Sequence, residues 1–363
     1  QAEDGIRDVE RSRGLGDVYK RQALALWVMP DTGKSTFQLN STVYHRLAVV
    51  FLIASVFPLI NILATYFLTD EKKNQKNIQI ESADYNIFID SIDVKKIEYN
   101  GNLDLVKAAV KLYSTTDGFK IITQSNAPAG SGLGTSASMG VTLVGLISKY
   151  SGKNLLPGEI AEAASMLERK ELGIRGGKQD HYASAIGGIN YMEFHKEEVK
   201  IYPLKINPDI ILELEKNLIV CYTGKSRLSG NIHKDVAKNF SNNKKETVDS
   251  IEKLKYIAEC MKNSLMKGKF NEFAELMNEN WTYQKKLHHS ITNEYMNELF
   301  EIAFKSGALG GKAAGAGGGG CLIFYCDREK EHKVRENLEK SGATVLNFNF
   351  DFSGYQNWVI ENR

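Results

Sequence analysis

Hydrophobic and polar positions fall into regular patterns only from residue 78 onward. Residues 78–82 (IQIES) alternate as a half-buried strand does, and a second alternating run covers roughly 86–99. Leu103, Val106, Ala109 and Val110 recur at the spacing of a short amphipathic helix. Residues 118–123 read as a strand that leads into a stretch rich in glycine and serine. Beyond it, Met139, Leu143, Leu146, Ile147 and Tyr150 mark one helix face, ended by Gly152. The pattern predicts a further helix over 158–172 and strands near 189–194, 198–204 and 218–223. The second half is mostly helical, with helices over 244–267, 270–288 and 293–306, the last stopped by Gly307. A strand at 321–326 (CLIFYC), a charged helix over 328–341 and an alternating strand over 345–352 follow. Asp327 serves as the expected cap of that helix and Gly342 as its end.

The first quarter does not share this regularity. Residues 47–68 (LAVVFLIASVFPLINILATYFL) carry no charge, and as a helix they would extend ~33 Å, enough to span a bilayer. Lys72, Lys73 and Lys76 follow. Pro58, Asn61 and the β-branched and aromatic content suit buried strands as well. The run starts too deep in the chain for a cleavable leader. Residues 1–22 have no apolar period and resemble translated adapter sequence, so 1–77 is expected to be an atypical, partly artefactual segment. The stretch DTGKST at 31–36 is not a phosphate loop, because that motif needs a glycine where Val28 stands.

Composition narrows the class. The 363 residues suffice for two domains with a sizeable core, and the expected boundaries are 78–210 and 211–363. With 42% apolar and 25% charged residues, a fully disordered chain is excluded. Lys and Arg exceed Asp and Glu by 46 to 44, so no basic field argues for nucleic acid or an anionic membrane surface. Cys221, Cys260, Cys321 and Cys326 form no C-x-x-C pair and no zinc spacing. They read as reduced thiols of a cytoplasmic protein. Of 31 glycines, eight fall between Gly307 and Gly320.

Three stretches carry chemistry. In PAGSGLGTSAS at 128–138, small residues allow close backbone approach, and successive N–H groups beside a helix start make a phosphate cradle. Thr135 or Ser136 could place a hydroxyl on magnesium. A serine-capped turn is the plainer reading, yet glycines at three alternate positions exceed what capping needs. The second stretch is the glycine run at 307–320. Glycine costs backbone entropy, and a run lying between a helix and an apolar strand suits a backbone-lined wall better than a linker. The third pairs Glu168 with GGKQDHYASAIGG at 176–188, where Asp180 could accept or orient a hydroxyl proton and Glu168 could hold a cation. Alone, either carboxylate is more often a solvated charge. His181 and the His288–His289 pair read as structural or surface residues.

These stretches resemble the GHMP small-molecule kinases. The family motif P-x-x-x-G-L-G-S-S-A matches residues 128–137, with Thr135 in place of the first serine, and the late glycine motif matches 312–321. Together with GKQDHYA at 177–183, YTGKSRLS at 222–229 and GGKAAGAGGGG at 310–320, the likeness covers about 78–358. Within the family it is nearest to the D-glycero-D-manno-heptose 7-phosphate kinases. The resemblance implies an α+β, two-domain fold: a ribosomal S5 domain 2-like N-terminal part and a ferredoxin-like C-terminal part. It implies that Pro128, Gly130, Ser131, Gly132, Leu133, Gly134, Thr135, Ser136 and Ala137 wrap the phosphates of ATP. Ser136 and Glu168 would hold Mg2+, and Asp180 would be the base toward the anomeric hydroxyl of a sugar phosphate. Gly317 and Gly318 of the late wall would bind the substrate. Lys225 and Arg227 are candidates for the phosphate already on the substrate, against a solvated turn at even weight. The family's first motif, a P-x-R-I strand with a G-G-T-D turn, is not found, which bears on whether this chain is active. A fucose or galactose kinase of the same family and a non-catalytic ATP-binding homologue are the rival expectations. No nucleic-acid or membrane partner is expected, and the oligomeric state is not legible.

Overall fold

Alternating and fully apolar runs set the strands, and helices lie between them. The computed structural model describes residues 44–54, 62–71, 78–113, 118–128, 130–174, 176–195, 198–225 and 230–360. In chain order the first elements are β1 (Tyr44–Ala54), β2 (Ile62–Glu71), β3 (Ile78–Ser82), β4 (Ile87–Ile92), α1 (Asp104–Tyr113), β5 (Lys120–Ser125), α2 (Thr135–Tyr150), α3 (Pro157–Met166) and α4 (Gln179–Ile186). A hairpin, β6 (Asn190–Phe194) and β7 (Val199–Pro203), leads to α5 (Pro208–Asn217) and β8 (Leu218–Tyr222). Four helices follow: α6 (Gly230–Ser241), α7 (Lys245–Met266), α8 (Phe270–Lys286) and α9 (Glu294–Ser306). The chain closes with β9 (Ala308–Ala313), β10 (Cys321–Cys326), α10 (Glu331–Lys340), β11 (Thr344–Leu346) and β12 (Trp358–Ile360).

Two larger sheets and the two-stranded β6–β7 hairpin organise the described elements. The first runs β12-β1-β2-β5-β3-β4, antiparallel except for the β3–β5 pair. The second is antiparallel, in the order β11-β8-β10-β9. Of the apolar run at 47–68, residues 47–54 belong to β1 and 62–68 to β2, which pair in the register Val50↔Tyr66, and 55–61 lie outside the described residues. Its β-branched and aromatic content fits a pleated surface. Among the described residues no helix is long and apolar enough to cross a membrane, and of the two readings of that run, spanning helix or buried strands, residues 47–54 and 62–68 take the strand.

Helix α2 is buried along most of its length: Val141, Leu143, Val144, Leu146 and Ile147 are all shielded. Its Gly145 makes room for Tyr355, since a Cβ there would lie 2.3 Å from the ring. Filling such a core sets the scale of stability, because truncating one buried leucine to alanine costs about 2–5 kcal/mol. A second cluster packs Phe300 between Trp281 and Phe324 on the other sheet.

Three sequence expectations change. The helix over 158–172 ends as an α-helix at Met166 and continues as a wider π turn at Leu167–Glu171, with Leu172 N–H bonded to the Leu167 carbonyl. The helix over 328–341 starts at Glu331, and Asp327 bonds Arg328 N–H instead of capping it. The strand over 345–352 is limited to Thr344–Leu346, because Asn349 and the Phe350 N–H are taken by Glu215 and not by a neighbouring strand.

Candidate active site

Residues 130–134 form a loop that ends at the start of α2. Gly130, Gly132 and Gly134 all have left-handed backbone, with φ of 67°, 77° and 72°. That conformation is costly for any residue with a Cβ. Leu133 is buried and pins the loop to the core, while Gly132 and Ser136 remain exposed. Gly134 occupies the N-cap position of α2 without a side-chain cap, so no N-cap side chain takes up the first N–H groups of the helix. The buried hydroxyls of Ser131 and Thr135 have no hydrogen-bond partner among the described residues. Free N–H groups, unpaired hydroxyls and the positive helix end together suit phosphate oxygens.

The late glycine run closes on this loop. Ser131 accepts a hydrogen bond from Cys321 N–H (2.7 Å). A Cβ on Gly320 would lie 2.4 Å from Ser131 O, and one on Gly315 would lie 3.0 Å from Gly132 O. The glycines there let two backbones touch. Gly318 N–H bonds Ile291 O at 2.6 Å, and a Cβ on Gly317 would come within 2.4 Å of the same oxygen. Those two residues thus pack on the turn that precedes α9. Lys225 is exposed beside the loop, its carbonyl accepting from Gly320 N–H at 2.9 Å. Arg227 lies outside the described residues.

Glu168 sits in the π turn and meets Ser136 from the first turn of α2. Ser136 Oγ donates to Glu168 Oε1. The other carboxylate oxygen, Oε2, is 2.9 Å from His181 Nε2. Burial pushes the Glu168 carboxyl up, but His181 and the Ser136 hydroxyl outweigh it, and the group is held below its ordinary range. A carboxylate and a hydroxyl meeting at a phosphate loop fit a hard cation that completes its shell with phosphate and water oxygens. Among the described residues, no group of three or more His, Cys, Asp or Glu side chains could hold a metal ion by itself. His181, read from sequence as structural or superficial, is buried against this pair.

Asp180 is the second residue of α4, one position before His181. Burial pushes its carboxyl up to about 6, with His181 opposing and Glu168 adding to the rise. It opens into a cavity of about 260 Å³ that reaches the β6–β7 hairpin, α7 and α8, room for one small ligand. Lys312 of β9 lines the same cavity. Burial lowers its ammonium to about 8. Sequence reasoning passed over Lys312, although a lysine on a strand otherwise made of alanine, leucine and glycine is a readable signal.

Comparison with known proteins agrees with this geometry. Residues 104–188 match the model of the GHMP kinases N terminal domain, and residues 250–344 match that of the GHMP kinases C terminal domain. A D-glycero-alpha-D-manno-heptose 7-phosphate kinase of Campylobacter jejuni is 30% identical over 295 residues, covering 80% of this chain and 86% of that protein. The bifunctional fucokinase/GDP-fucose pyrophosphorylase of Arabidopsis thaliana is 31% identical over 80% of this chain and 28% of its own length. Among solved structures, a D-glycero-D-manno-heptose 1-phosphate kinase from Bacteroides thetaiotaomicron superposes with a TM-score of 0.67 at 26% identity. That match covers 87% of this chain and 99% of that one.

Proposed function

This chain belongs to the GHMP kinase family, with its two-domain α+β fold, and is an ATP-dependent sugar kinase; from that premise we propose that it phosphorylates the anomeric hydroxyl of D-glycero-D-manno-heptose 7-phosphate to give the 1,7-bisphosphate. The observation that carries the reading is the placement of Asp180 in a small cavity next to the Ser136–Glu168 pair at the phosphate loop. The N–H groups of residues 132–137, at the start of α2, bind and orient the triphosphate. Asp180 takes the proton of the attacking hydroxyl as its oxygen bonds the γ-phosphorus and the bond to the β-phosphate oxygen breaks, releasing ADP. Ser136 and Glu168 would hold Mg2+, which would neutralise phosphate charge. His181 holds Glu168 in place. Gly317 and Gly318 form a substrate-binding wall beside the loop, and Lys225 and Arg227 hold the phosphate already on the substrate. Most of the rate enhancement comes from positioning and charge neutralisation.

The name of the Campylobacter relative points to a 7-phosphate acceptor. The Arabidopsis fucokinase likeness favours a second reading, a free-sugar kinase of the same family. Phosphorus NMR of the product separates them. The first reading predicts a new phosphorus signal coupled to the anomeric proton, with the 7-phosphate retained. A product formed on free fucose or galactose, with the heptose phosphate unchanged, would replace it with the second. Asp180→Ala should abolish product formation and spare ATP binding; wild-type turnover by that variant would remove Asp180 from the mechanism.

A further inference from the structure

Asp180 lies in the first turn of α4, and the start of that helix is held by a carboxylate from the helix before it. Glu162 lies on α3. Its Oε1 and Oε2 accept hydrogen bonds from Lys178 Nζ at 2.7 and 2.8 Å, and Oε2 also accepts from the Tyr182 hydroxyl at 3.0 Å. Lys178 and Tyr182 stand two positions to either side of Asp180. The Lys178 carbonyl accepts from the N–H groups of His181 (3.1 Å) and Tyr182 (3.2 Å), so the residue that Glu162 grips is also the one from which the helix starts. Gly176 and Gly177 precede it, and two glycines supply little backbone stiffness of their own. Burial pushes the Glu162 carboxyl up, but Lys178, Tyr182 and Arg169 outweigh it and hold the group below its ordinary range. Six residues further on, where α3 has passed into the π turn, Glu168 meets His181 of the same α4. The two helices are therefore laced at two points, one beside Asp180 and one at the cation pair. The Lys178 and Glu162 side chains are 28% and 40% exposed, and an ion pair so open to water contributes little to stability. What it can supply is position.

We propose that Glu162 is a positioning residue for phosphoryl transfer: through Lys178 and Tyr182 it fixes the first turn of α4, and with it the place of Asp180 relative to the Ser136–Glu168 pair. This rests on the reading of Asp180 as the base. The acceptor oxygen must meet the γ-phosphorus in line while its proton passes to Asp180, and a displacement of about 1 Å at such a site costs roughly a hundredfold in rate. Glu162 and Glu168 belong to one continuous helical segment. The carboxylate that sets the proton acceptor and the carboxylate at the cation pair thereby keep a constant spacing. The buried Tyr182 completes the grip from the core side, and Lys178 completes it from the solvent side.

The test compares wild-type protein with Glu162→Gln, which keeps the shape and removes the charge, with Lys178→Met, and with Lys178→Arg, which can keep the pair. ADP release on heptose 7-phosphate with magnesium and ATP should show kcat lower by roughly tenfold to hundredfold for Glu162→Gln and for Lys178→Met, with KM for ATP little changed. Lys178→Arg should recover most of the rate. The double variant Glu162→Gln/Lys178→Met should lose no more than either single one, because both break the same contact. Melting temperatures should stay close to wild type, which separates a loss of position from a loss of fold. Amide exchange with magnesium and ATP but no sugar supplies a second readout: the segment 178–186 should exchange faster in Glu162→Gln, and α2 should not. A Glu162→Gln variant that matches wild type in kcat, whatever its exchange, would overturn the anchor and leave Asp180 as the base. Unchanged exchange over 178–186, or losses that add in the double variant, would overturn it as well. If Asp180→Ala keeps wild-type turnover, or the wild type releases no ADP on any sugar, the reading of the base fails and the positioning role fails with it.

Discussion

Asp180 sets stability against function, and the conflict can be measured. Burial holds its carboxyl at about 6, against 3.8 for the ordinary group. A shift of about 2 pH units at ~1.4 kcal/mol each means that the ionised carboxylate destabilises the folded chain by about 3 kcal/mol. The sign follows from the direction. A carboxyl whose folded pKa is raised imposes its full cost above about 6 and none below its unfolded value of 3.8. Asp180→Asn keeps the shape and removes the charge. It should melt higher than wild type at pH 8, by on the order of 5 °C for a chain of this size. The advantage should shrink through pH 6 and vanish near pH 4. The same variant should lose the contribution of a general base, roughly 10²–10⁴-fold in kcat. Melting curves at pH 8 and pH 4, beside ADP release at pH 8, measure both effects. Equal melting temperatures at pH 8, or an advantage that persists unchanged at pH 4, would refute the burial argument. In the wild type, kcat/KM should fall as pH drops through about 6, because only the ionised form accepts a proton.

Three further outcomes are expected. Releasing Glu168 from its 2.9 Å contact by His181→Ala should raise the Mg2+ concentration needed for ATP to protect the chain against thermal unfolding, roughly tenfold; an unchanged requirement would show that the contact does not position Glu168. Gly132→Ala should weaken ATP binding and lower the melting temperature, because φ is +77° and the Cβ would meet Ala314 O at 3.0 Å. Gly152→Ala, at φ +78° with nothing within 4 Å, should cost only the backbone strain of about 1–2 kcal/mol, so equal effects on ATP binding would count against the packed loop. Burial pushes the thiols of Cys221 and Cys326 up to about 12 and that of Cys321 higher still; a thiol reagent should modify the half-buried Cys260 first and the others only on unfolding, and rapid reaction of two or more thiols in the native chain would contradict their burial.

What the sequence disclosed followed the range of the interactions involved. The glycine loop at Gly130, Gly132 and Gly134 was legible because alternate glycines have a local reason to occur, and their left-handed backbone supplies that reason. Helices α7, α8 and α9 were legible to within a few residues, the last because Gly307 stops it. The limits of the last strand were not, because Glu215, more than a hundred positions away, takes the Phe350 N–H. Nor was helix α6, whose neighbourhood read only as a motif. At the site, the meeting of Ser136 with Glu168 and the burial of His181 on the other carboxylate oxygen depend on a π turn that no local pattern announces. The return of β12 to pair with β1 is likewise a contact between opposite ends of the described chain. Lys312 was overlooked for a different reason: its charge drew less notice than the glycines on either side of it.

The most direct test of the central claim is ADP release by the purified full chain with magnesium and ATP, on heptose 7-phosphate beside free hexoses. The account predicts release on the heptose phosphate alone, lost in Asp180→Ala. Release confined to a free hexose would contradict the proposed substrate, and ATP binding without release on any sugar would contradict catalysis by Asp180 in this chain.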